Sequence, residues 1–259
     1  QSFAAPPPLH ITRITPSGTD VPAGRQIVFQ FARPVIPIGR MARKASEIPI
    51  NITPFLNCQW RWLNTGTLAC QLDEKSALKP ATRYTIVVNP GIKTQDGDTL
   101  EKPVRRSFIT IRPKIRNVWF KTWSAPGVPV IRLTFNQPVF KNSVVRHIFL
   151  AARDKGKKLT GVTVIPDPDI KEKPLTNTST DSPGEARRVW LVSPQKELPL
   201  DSEVAIRVNP GIVSFQGPEK GIEKRILASF STFPPFSFEG VECTNNSGKT
   251  IHVAPNNSH

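Results

Sequence analysis

The sequence is poor in the residues and runs that define several large classes of protein. It has one methionine, one tyrosine and three cysteines among 259 residues, and no apolar run approaches the roughly 20 residues of a membrane-spanning helix. Its four histidines show no metal-ligand spacing, and its cysteines show no CxxC spacing. It contains no phosphate-binding loop, dinucleotide-binding glycine motif or nucleophile elbow. We therefore expect no catalytic residue, no metal site and no cofactor, and hence a protein that is not an enzyme.

Three short stretches look like ligand sites, and all three are predicted to be structural. The stretches TQDGDTL and PDPDI each carry two aspartates, which are too few oxygens for calcium, since it takes six to eight. Trp60 and Trp62 stand two positions apart in the segment WRW. At that spacing on a strand, packing in a core or between domains is favoured over stacking on a sugar.

The composition is strongly basic. Lys and Arg number 35 against 20 Asp and Glu, which gives a net charge of +15. Such a surface attracts nucleic acid, anionic lipid or glycan, or an acidic protein. The basic residues are scattered in pairs without a nucleic-acid-binding motif, so we expect no nucleic-acid partner. They form either a solvated basic surface or a basic docking surface, whose candidate residues are Arg105, Arg106, Arg112, Lys114 and Arg116.

One seven-residue phrase occurs twice in the chain. IVVNPGI spans Ile86–Ile92, and IRVNPGI spans Ile206–Ile212. The β-branched residues favour a strand, the proline ends its hydrogen-bond ladder, and the glycine turns the chain. Upstream, IVFQFARPV (Ile27–Val35) parallels IRLTFNQPV (Ile131–Val139). Two copies of one fold, each about 100 residues long, are therefore predicted.

Alternation of apolar and polar residues dominates both copies. Ile27, Phe29 and Phe31 fall on one face of a strand, and turn residues recur along the chain at short intervals, as in antiparallel sandwiches. We predict an all-β protein of tandem antiparallel β-sandwich domains. The first domain is predicted at 9–112 and the second at 113–234. Residues 235–259 are predicted to begin a third domain or to form a tail.

The number of residues between the IVFQFARPV-type phrase and the NPGI phrase differs between the two copies. The second copy therefore needs an insertion. The low-complexity stretch at 166–188 is the best place for it. Exposed loops of this composition are preferred sites of proteolysis. We therefore predict a protease-sensitive loop, with trypsin-like cleavage near Arg187 and Arg188.

Cys58 and Cys70 flank the segment QWRWLNTGTLA, which is predicted to form a hairpin with a three-residue loop. In that register, Trp60 faces Cys70 and Trp62 faces Leu68. The two cysteines then point to one face as diagonal neighbours, roughly 7–8 Å apart, so a bulge is needed to join them. A Cys58–Cys70 disulfide and two buried thiols both remain open. Cys243 is the third cysteine, and we expect any partner for it to lie outside this sequence.

Three phrases in a fixed order resemble the N-terminal macroglobulin domain of bacterial alpha-2-macroglobulin-like proteins. They are Phe31–Gly39, the Trp-rich hairpin at Trp60–Trp62, and Leu78–Gly91. In that family a second domain of the same kind follows, and a third begins with a cysteine, as FEGVEC does here. At the level of architecture the resemblance covers nearly the whole chain. The family's thioester motif, Cys-x-Glu-Gln, is absent from this sequence.

The resemblance implies a macroglobulin-type, Ig-like fold and a periplasmic location. It leaves open whether the whole protein is anchored to a membrane. Proteins of this class trap intruding proteases for bacterial defence, so the chain would be a non-catalytic scaffold or docking fragment of a protease inhibitor. The implied partners are proteins: target proteases of the full-length protein, or periplasmic proteins near cell-wall synthesis.

Two other functions fit parts of the pattern. An Ig-like repeat module of a surface or adhesin-type protein shares the turn-and-strand logic, but such arrays tend to be acidic. An anion-binding or cell-wall-binding module would use the basic pairs, and its affinity would fall steeply with salt.

Overall fold

The computed structural model describes residues 8–35, 42–43, 48–94, 96–152, 159–177, 184–238, 241–244, 247–248 and 250–253. Strands dominate these ranges, and their one helix is α1 (Lys141–His147). No helix in the described part of the chain is long and apolar enough to cross a membrane. The architecture is the all-β sandwich type that the alternating pattern predicts.

The first sandwich, residues 8–110, has two sheets. The five-stranded sheet has the order β1 (Ile11–Thr15), β3 (Gln26–Phe31), β7 (Thr67–Gln71), β6 (Gln59–Asn64) and β4 (Ala42–Arg43). The four-stranded sheet has the order β2 (Gly18–Val21), β9 (Val104–Thr110), β8 (Arg83–Val88) and β5 (Ile50–Thr53). The β2–β9 pair is parallel, and the other pairs within these sheets are antiparallel.

The core of the first sandwich comes from side chains that alternate along these strands. In β3, Ile27, Phe29 and Phe31 are buried while their neighbours are not, which confirms the predicted face. Trp60 and Trp62 lie in this core as well, so the prediction of a packing role is confirmed for both. Their rings pack on the β3 phenylalanines with centroids 5.7 Å apart. Buried aromatic rings of this size contribute much of the apolar area of a small core.

The second sandwich, residues 115–233, is built on one long sheet that curves almost into a barrel. Its order is β10 (Ile115–Ala125), β11 (Val128–Phe140), β15 (Gly184–Pro194), β13 (Leu159–Pro166), β12 (Ile148–Ala152), β16 (Glu203–Val208) and β17 (Arg225–Ser231), with β14 (Leu175–Asn177) on β15. Helix α1 connects β11 to β12. The core is separate from the first one and surrounds Trp190, whose Nε1 donates to the carbonyl of Val139 (3.2 Å).

A two-stranded antiparallel hairpin follows, made of β18 (Val241–Thr244) and β19 (Thr250–Val253). It lies in the stretch that the sequence predicts to begin a third domain, part of which falls outside the described residues. The division into 9–112, 113–234 and 235–259 stays a prediction.

The described part of the segment proposed as an insertion contains paired strands. Strand β14 pairs with β15 across it, and residues 178–183 lie outside the described ranges. The placement of Arg187 and Arg188 in a loop is wrong, because both lie inside β15. Arg187 donates to the carbonyl of Glu172 (2.6 Å), and the Arg188 N–H donates to the Glu172 carboxylate (2.9 Å). Paired backbone resists proteolysis, so cleavage beside these two arginines is no longer expected.

Candidate functional site

The linker between the two sandwiches is held by two side chains of the second. The amide of Asn136 donates through Nδ2 to the carbonyl of Arg112 (2.9 Å), and its Oδ1 accepts from the Lys114 N–H (2.9 Å). The next residue, Gln137, donates through Nε2 to the carbonyl of Ile111 (3.1 Å). Both side chains belong to β11, at the point where its register with β15 shifts. The polar backbone groups of the linker therefore have fixed partners.

Gln137 is itself fixed from the other side. The residue is only 2% exposed, and its Oε1 accepts from the hydroxyl of Ser214 (2.9 Å). A buried amide is costly when unpaired and rigid when paired. Gln137 therefore connects the linker to the loop that contains Ser214.

A second contact joins the sandwiches beside the linker. The Glu219 N–H donates to the carbonyl of Ala81 (2.8 Å), and Arg83 Nε donates to the Glu219 carboxylate (2.9 Å). A Cβ placed on Gly217 would overlap the carbonyl oxygen of Ala81. Glycine is thus required there for the two loops to approach this closely.

The linker residue Arg112 binds a carboxylate of the first sandwich. Its guanidinium donates to both carboxylate oxygens of Asp20, at 3.0 and 2.7 Å, and its N–H donates to the same carboxylate at 3.0 Å. This hydrogen bonding from Arg112 holds the pKa of Asp20 below its usual value, against the opposing effect of burial. The bidentate pair secures the end of the first sandwich where the linker begins.

The five candidate docking residues lie on three successive parts of the chain: β9, the linker and the start of the second sandwich. Arg105 and Arg106 are exposed in β9, whereas Lys114 and Arg116 are exposed at the start of the second sandwich. Arg112, between them, is neutralised by Asp20. A docking role for these residues stays a prediction.

Cys58 and Cys70 form a disulfide. The predicted pairs Trp60–Cys70 and Trp62–Leu68 are confirmed, but the predicted three-residue loop is wrong, because Asn64 pairs with Thr67 and Leu63 is bulged. The predicted cysteine separation is also wrong, since the two Cα atoms are 4.9 Å apart. Cys58 precedes β6, so its backbone is not constrained to the ladder and approaches Cys70 more closely.

The two aspartates of PDPDI bind basic side chains. Asp167 is buried and accepts from Lys121 Nζ (2.8 Å) and from Arg132 Nε, while Asp169 accepts from Lys121 Nζ (2.7 Å). Burial alone would raise the pKa of Asp167, but the hydrogen bonds from Lys121 and Arg132 outweigh it and the pKa is lowered. In the described ranges no group of three or more His, Cys, Asp or Glu side chains could hold a metal ion.

A groove of about 490 Å³ opens at the junction. Lys75 and Lys79 line it from the first sandwich, and Gln216–Pro218 line it from the second. Phe55 stands at its side, 87% exposed. Clefts between domains are frequent binding sites, so this groove and the clamped linker form one candidate surface.

The second sandwich carries an exposed aromatic patch, which we define as Phe120, Trp123, Phe230 and Phe233. Trp123 lies at its centre, with ring centroids 5.4, 5.9 and 5.0 Å from the other three in that order. Phe120 and Phe233 are each nearly half exposed. This cluster is a candidate contact surface, since large exposed apolar patches often mark such surfaces.

The sequence did not identify the residues that fix the junction. Asn136 and Gln137 belong to the repeated phrase FNQPV, where they align with Ala32 and Arg33 of FARPV. The one signal in the sequence was that two neighbouring amide side chains, Asn136 and Gln137, stand in an otherwise apolar phrase. Its partners could not be read from the sequence, because they depend on how the two sandwiches are oriented.

No protein-family model matches the chain. Among curated proteins, it is similar to Circularly permutated Ras protein 2 of Dictyostelium discoideum, with 25% identity over 181 residues. That alignment covers 67% of this chain and 4% of the Dictyostelium protein.

Among solved structures, the chain is similar to native alpha-2-macroglobulin from Escherichia coli, with 10% identity and a TM-score of 0.29 over 96% of this chain and 79% of that one. It is also similar to an L,D-transpeptidase from Mycobacterium tuberculosis, with 14% identity and a TM-score of 0.28 over 79% of this chain and 78% of that one. At these identities and TM-scores, neither similarity carries a functional conclusion.

Proposed function

We propose that this chain is a non-catalytic scaffold and docking module of a periplasmic protein of the bacterial alpha-2-macroglobulin type. The observation that carries the proposal is the clamped junction, in which Asn136, Gln137 and Glu219 fix one sandwich against the other. A rigid pair of domains suits a protein that presents surfaces to other proteins. The phrase order in the sequence supports the class, and the proposed partners are target proteases or periplasmic cell-wall-synthesis proteins.

The described side chains support a role without catalysis. The buried carboxylate of Asp167 forms ion pairs with the side chains of Lys121 and Arg132. The ring nitrogen Nδ1 of His147 lies 2.8 Å from the carbonyl oxygen of Ser143. General acid–base catalysis needs a titratable group within hydrogen-bond reach of a substrate. Neither group is available for that task, so we propose that the chain acts by binding alone.

The rigidity of the junction is tested by placing one spin label on each sandwich, at Lys102 and Lys196, and measuring their distance distribution. A single narrow distribution is expected for the native chain. Gln137→Ala should broaden it, whereas Arg25→Ala, which removes a solvent-exposed ion pair within the first sandwich, should leave it unchanged. A broad distribution in the native chain would contradict the scaffold proposal.

Docking and location are tested together in a Gram-negative host. The chain should be recovered in the periplasmic fraction and should retain a protein partner at physiological salt. Binding that disappears between low and physiological salt would instead indicate an anion-binding module, because exposed charges are screened beyond about 10 Å at 0.1 M. Recovery of the partner should fall when the junction is loosened by Gln137→Ala, and equal recovery would show that docking needs only one sandwich.

A further inference from the structure

A narrow groove of about 220 Å³ runs between β1 and β9 in the first sandwich. Two arginines, Arg13 and Arg106, line it together with the hydroxyl residues Thr12, Ser17 and Ser107. Its remaining lining is apolar, and none of the described lining residues is acidic. The groove therefore combines positive charge, hydroxyl groups and apolar walls in a small volume.

Both walls of the groove carry strand edges with open hydrogen-bonding groups. Strand β1 ends the five-stranded order, and β3 is its one partner in the described part of the chain. Strand β2 pairs with β9 only from Phe108 onward, so Arg106 and Ser107 pair on one side, with β8. Such edges accept an additional extended segment.

Both arginines of the groove are exposed. Within the described residues neither Arg13 nor Arg106 forms an ion pair, and Arg106 donates through one nitrogen to the carbonyl of Arg105 (3.0 Å). A guanidinium has five N–H donors, so most of the donors of Arg106 remain for a ligand. Arg112 and Arg33, by contrast, already bind aspartates. As far as the described residues show, the groove thus displays two positive charges without a counter-charge, and such a site attracts anions.

The size and shape of the groove narrow the choice of anion. Sites for small organic ligands usually measure about 300–1,000 Å³, which exceeds this volume. A single carboxylate fits the planar fork of an arginine, and an extended backbone fits the strand edges on either side. A protein segment satisfies both requirements at once, whereas free phosphate satisfies only the first.

We propose that the groove between β1 and β9 binds an extended acidic segment of a partner protein, with an Asp or Glu side chain held by Arg13 and Arg106. The segment adds to a strand edge, and its carboxylate reaches the two guanidinium groups. This inference rests on the proposed docking function and names the chemistry of the partner.

The probe is an eight-residue acetylated peptide of alternating valine and glutamate, titrated into the full ¹⁵N-labelled chain. We expect shifts of the amide signals of Arg13 and Ser107, and no comparable shifts with the alternating valine–glutamine peptide. Combined Arg13→Gln and Arg106→Gln should weaken binding about tenfold, since each exposed ion pair contributes up to about fivefold.

The matched control is Arg105→Gln, which removes a neighbouring charge on β9 that does not line the groove. Its binding should equal that of the native chain. Equal loss in this control, or equal binding of the valine–glutamine peptide, would overturn the proposal. Inorganic phosphate that shifts the same amides while the glutamate peptide does not bind would reassign the groove to phosphate. Unchanged amide signals away from the groove verify that each variant is folded.

The result is independent of the junction measurement. A narrow spin-label distribution without peptide binding would reject this groove and leave the scaffold intact. Peptide binding with a broad distribution would support the groove and reject the rigid scaffold.

Discussion

The two NPGI turns come from nearly identical sequence, yet the loops that follow them are fixed by different chemistry. In the first sandwich, Arg33 donates to Asp96 (2.8 Å) and also binds Asp98. In the second, the aligned residue is Gln137, which accepts from Ser214. An exposed ionic contact in one copy is therefore replaced by a buried neutral contact in the other.

The replacement gives the second copy an additional role. A neutral amide has both a donor and an acceptor, so Gln137 binds the loop through Oε1 and the linker carbonyl of Ile111 through Nε2. A guanidinium has only donors and could not accept from Ser214. The aligned position thus takes part in the domain junction in the second sandwich, where it is an amide and not an arginine.

The turns themselves differ in what surrounds the glycine. Gly91 has φ +116° and open space where a Cβ would lie, whereas Gly211 has φ +128° and a Cβ there would overlap the His147 ring. Both values lie in the region that favours glycine. The two turns thus share a backbone conformation, but the space beside Gly91 is empty and the space beside Gly211 is filled by the His147 ring.

The largest expected effect follows from that difference. Gly211→Ala should destabilise the second sandwich by about 4 kcal/mol, since backbone strain and overpacking both act. Gly91→Ala should cost about 2 kcal/mol from strain alone. Peptide-resolved hydrogen exchange on the full chain assigns each loss to its own sandwich. Adding His147→Ala should recover part of the loss in Gly211→Ala and none in Gly91→Ala; equal costs for the two glycines would refute this account.

The second expected effect concerns the crosslink that only the first sandwich carries among the described residues. Replacing both Cys58 and Cys70 by serine should lower the free energy of unfolding by about 3 kcal/mol, because the disulfide closes a loop with a sequence separation of 12. Exchange should rise across β3, β6 and β7 and stay unchanged around Trp190. A loss shared equally by both sandwiches would show that they unfold as one unit.

The third effect concerns the ion cluster of the second sandwich. Asp167→Asn should cost about 2 kcal/mol at neutral pH, because charged hydrogen bonds to Lys121 and Arg132 are weakened. The pKa of Asp167 is lowered by folding, so its stabilisation is present above an unfolded pKa of about 3.9 and is lost as the pH falls through the folded value. Urea unfolding at pH 7 and at pH 2 should therefore show a smaller acid-induced loss for the variant than for the native chain. An identical loss would place the acid sensitivity elsewhere, with Asp20 as the next candidate.

The smallest effects test the replacement of arginine by glutamine. Gln137→Ala should cost about 1.5 kcal/mol, since it leaves buried polar partners unsatisfied. Arg33→Ala should cost about 0.5 kcal/mol, since its aspartate partners are largely exposed. High salt should reduce the effect of Arg33→Ala and leave that of Gln137→Ala unchanged. The reverse salt dependence would contradict the distinction between the two contacts.

Local features were predictable from the sequence, and features that join distant segments were not. The face of β3 and the Trp60–Cys70 pair follow from the period of a strand. The bulge at Leu63 did not follow, because a two-residue and a three-residue loop fit the same letters. The lysine and arginine that neutralise Asp167 come from other strands, and Glu219 meets Ala81 across the two sandwiches. Such contacts depend on three-dimensional packing that a single sequence does not specify.

The clamped linker also affects how weak contacts combine. Two binding modules joined by a flexible tether lose effective concentration as the tether lengthens. Here Asn136 and Gln137 bind the linker, and in the proposed rigid scaffold the groove beside β1 and the aromatic patch around Trp123 stay at one separation. A partner of matching geometry would engage the second surface without an additional entropic cost once it had bound the first. Avidity in this molecule would then depend on two amide side chains that touch neither surface.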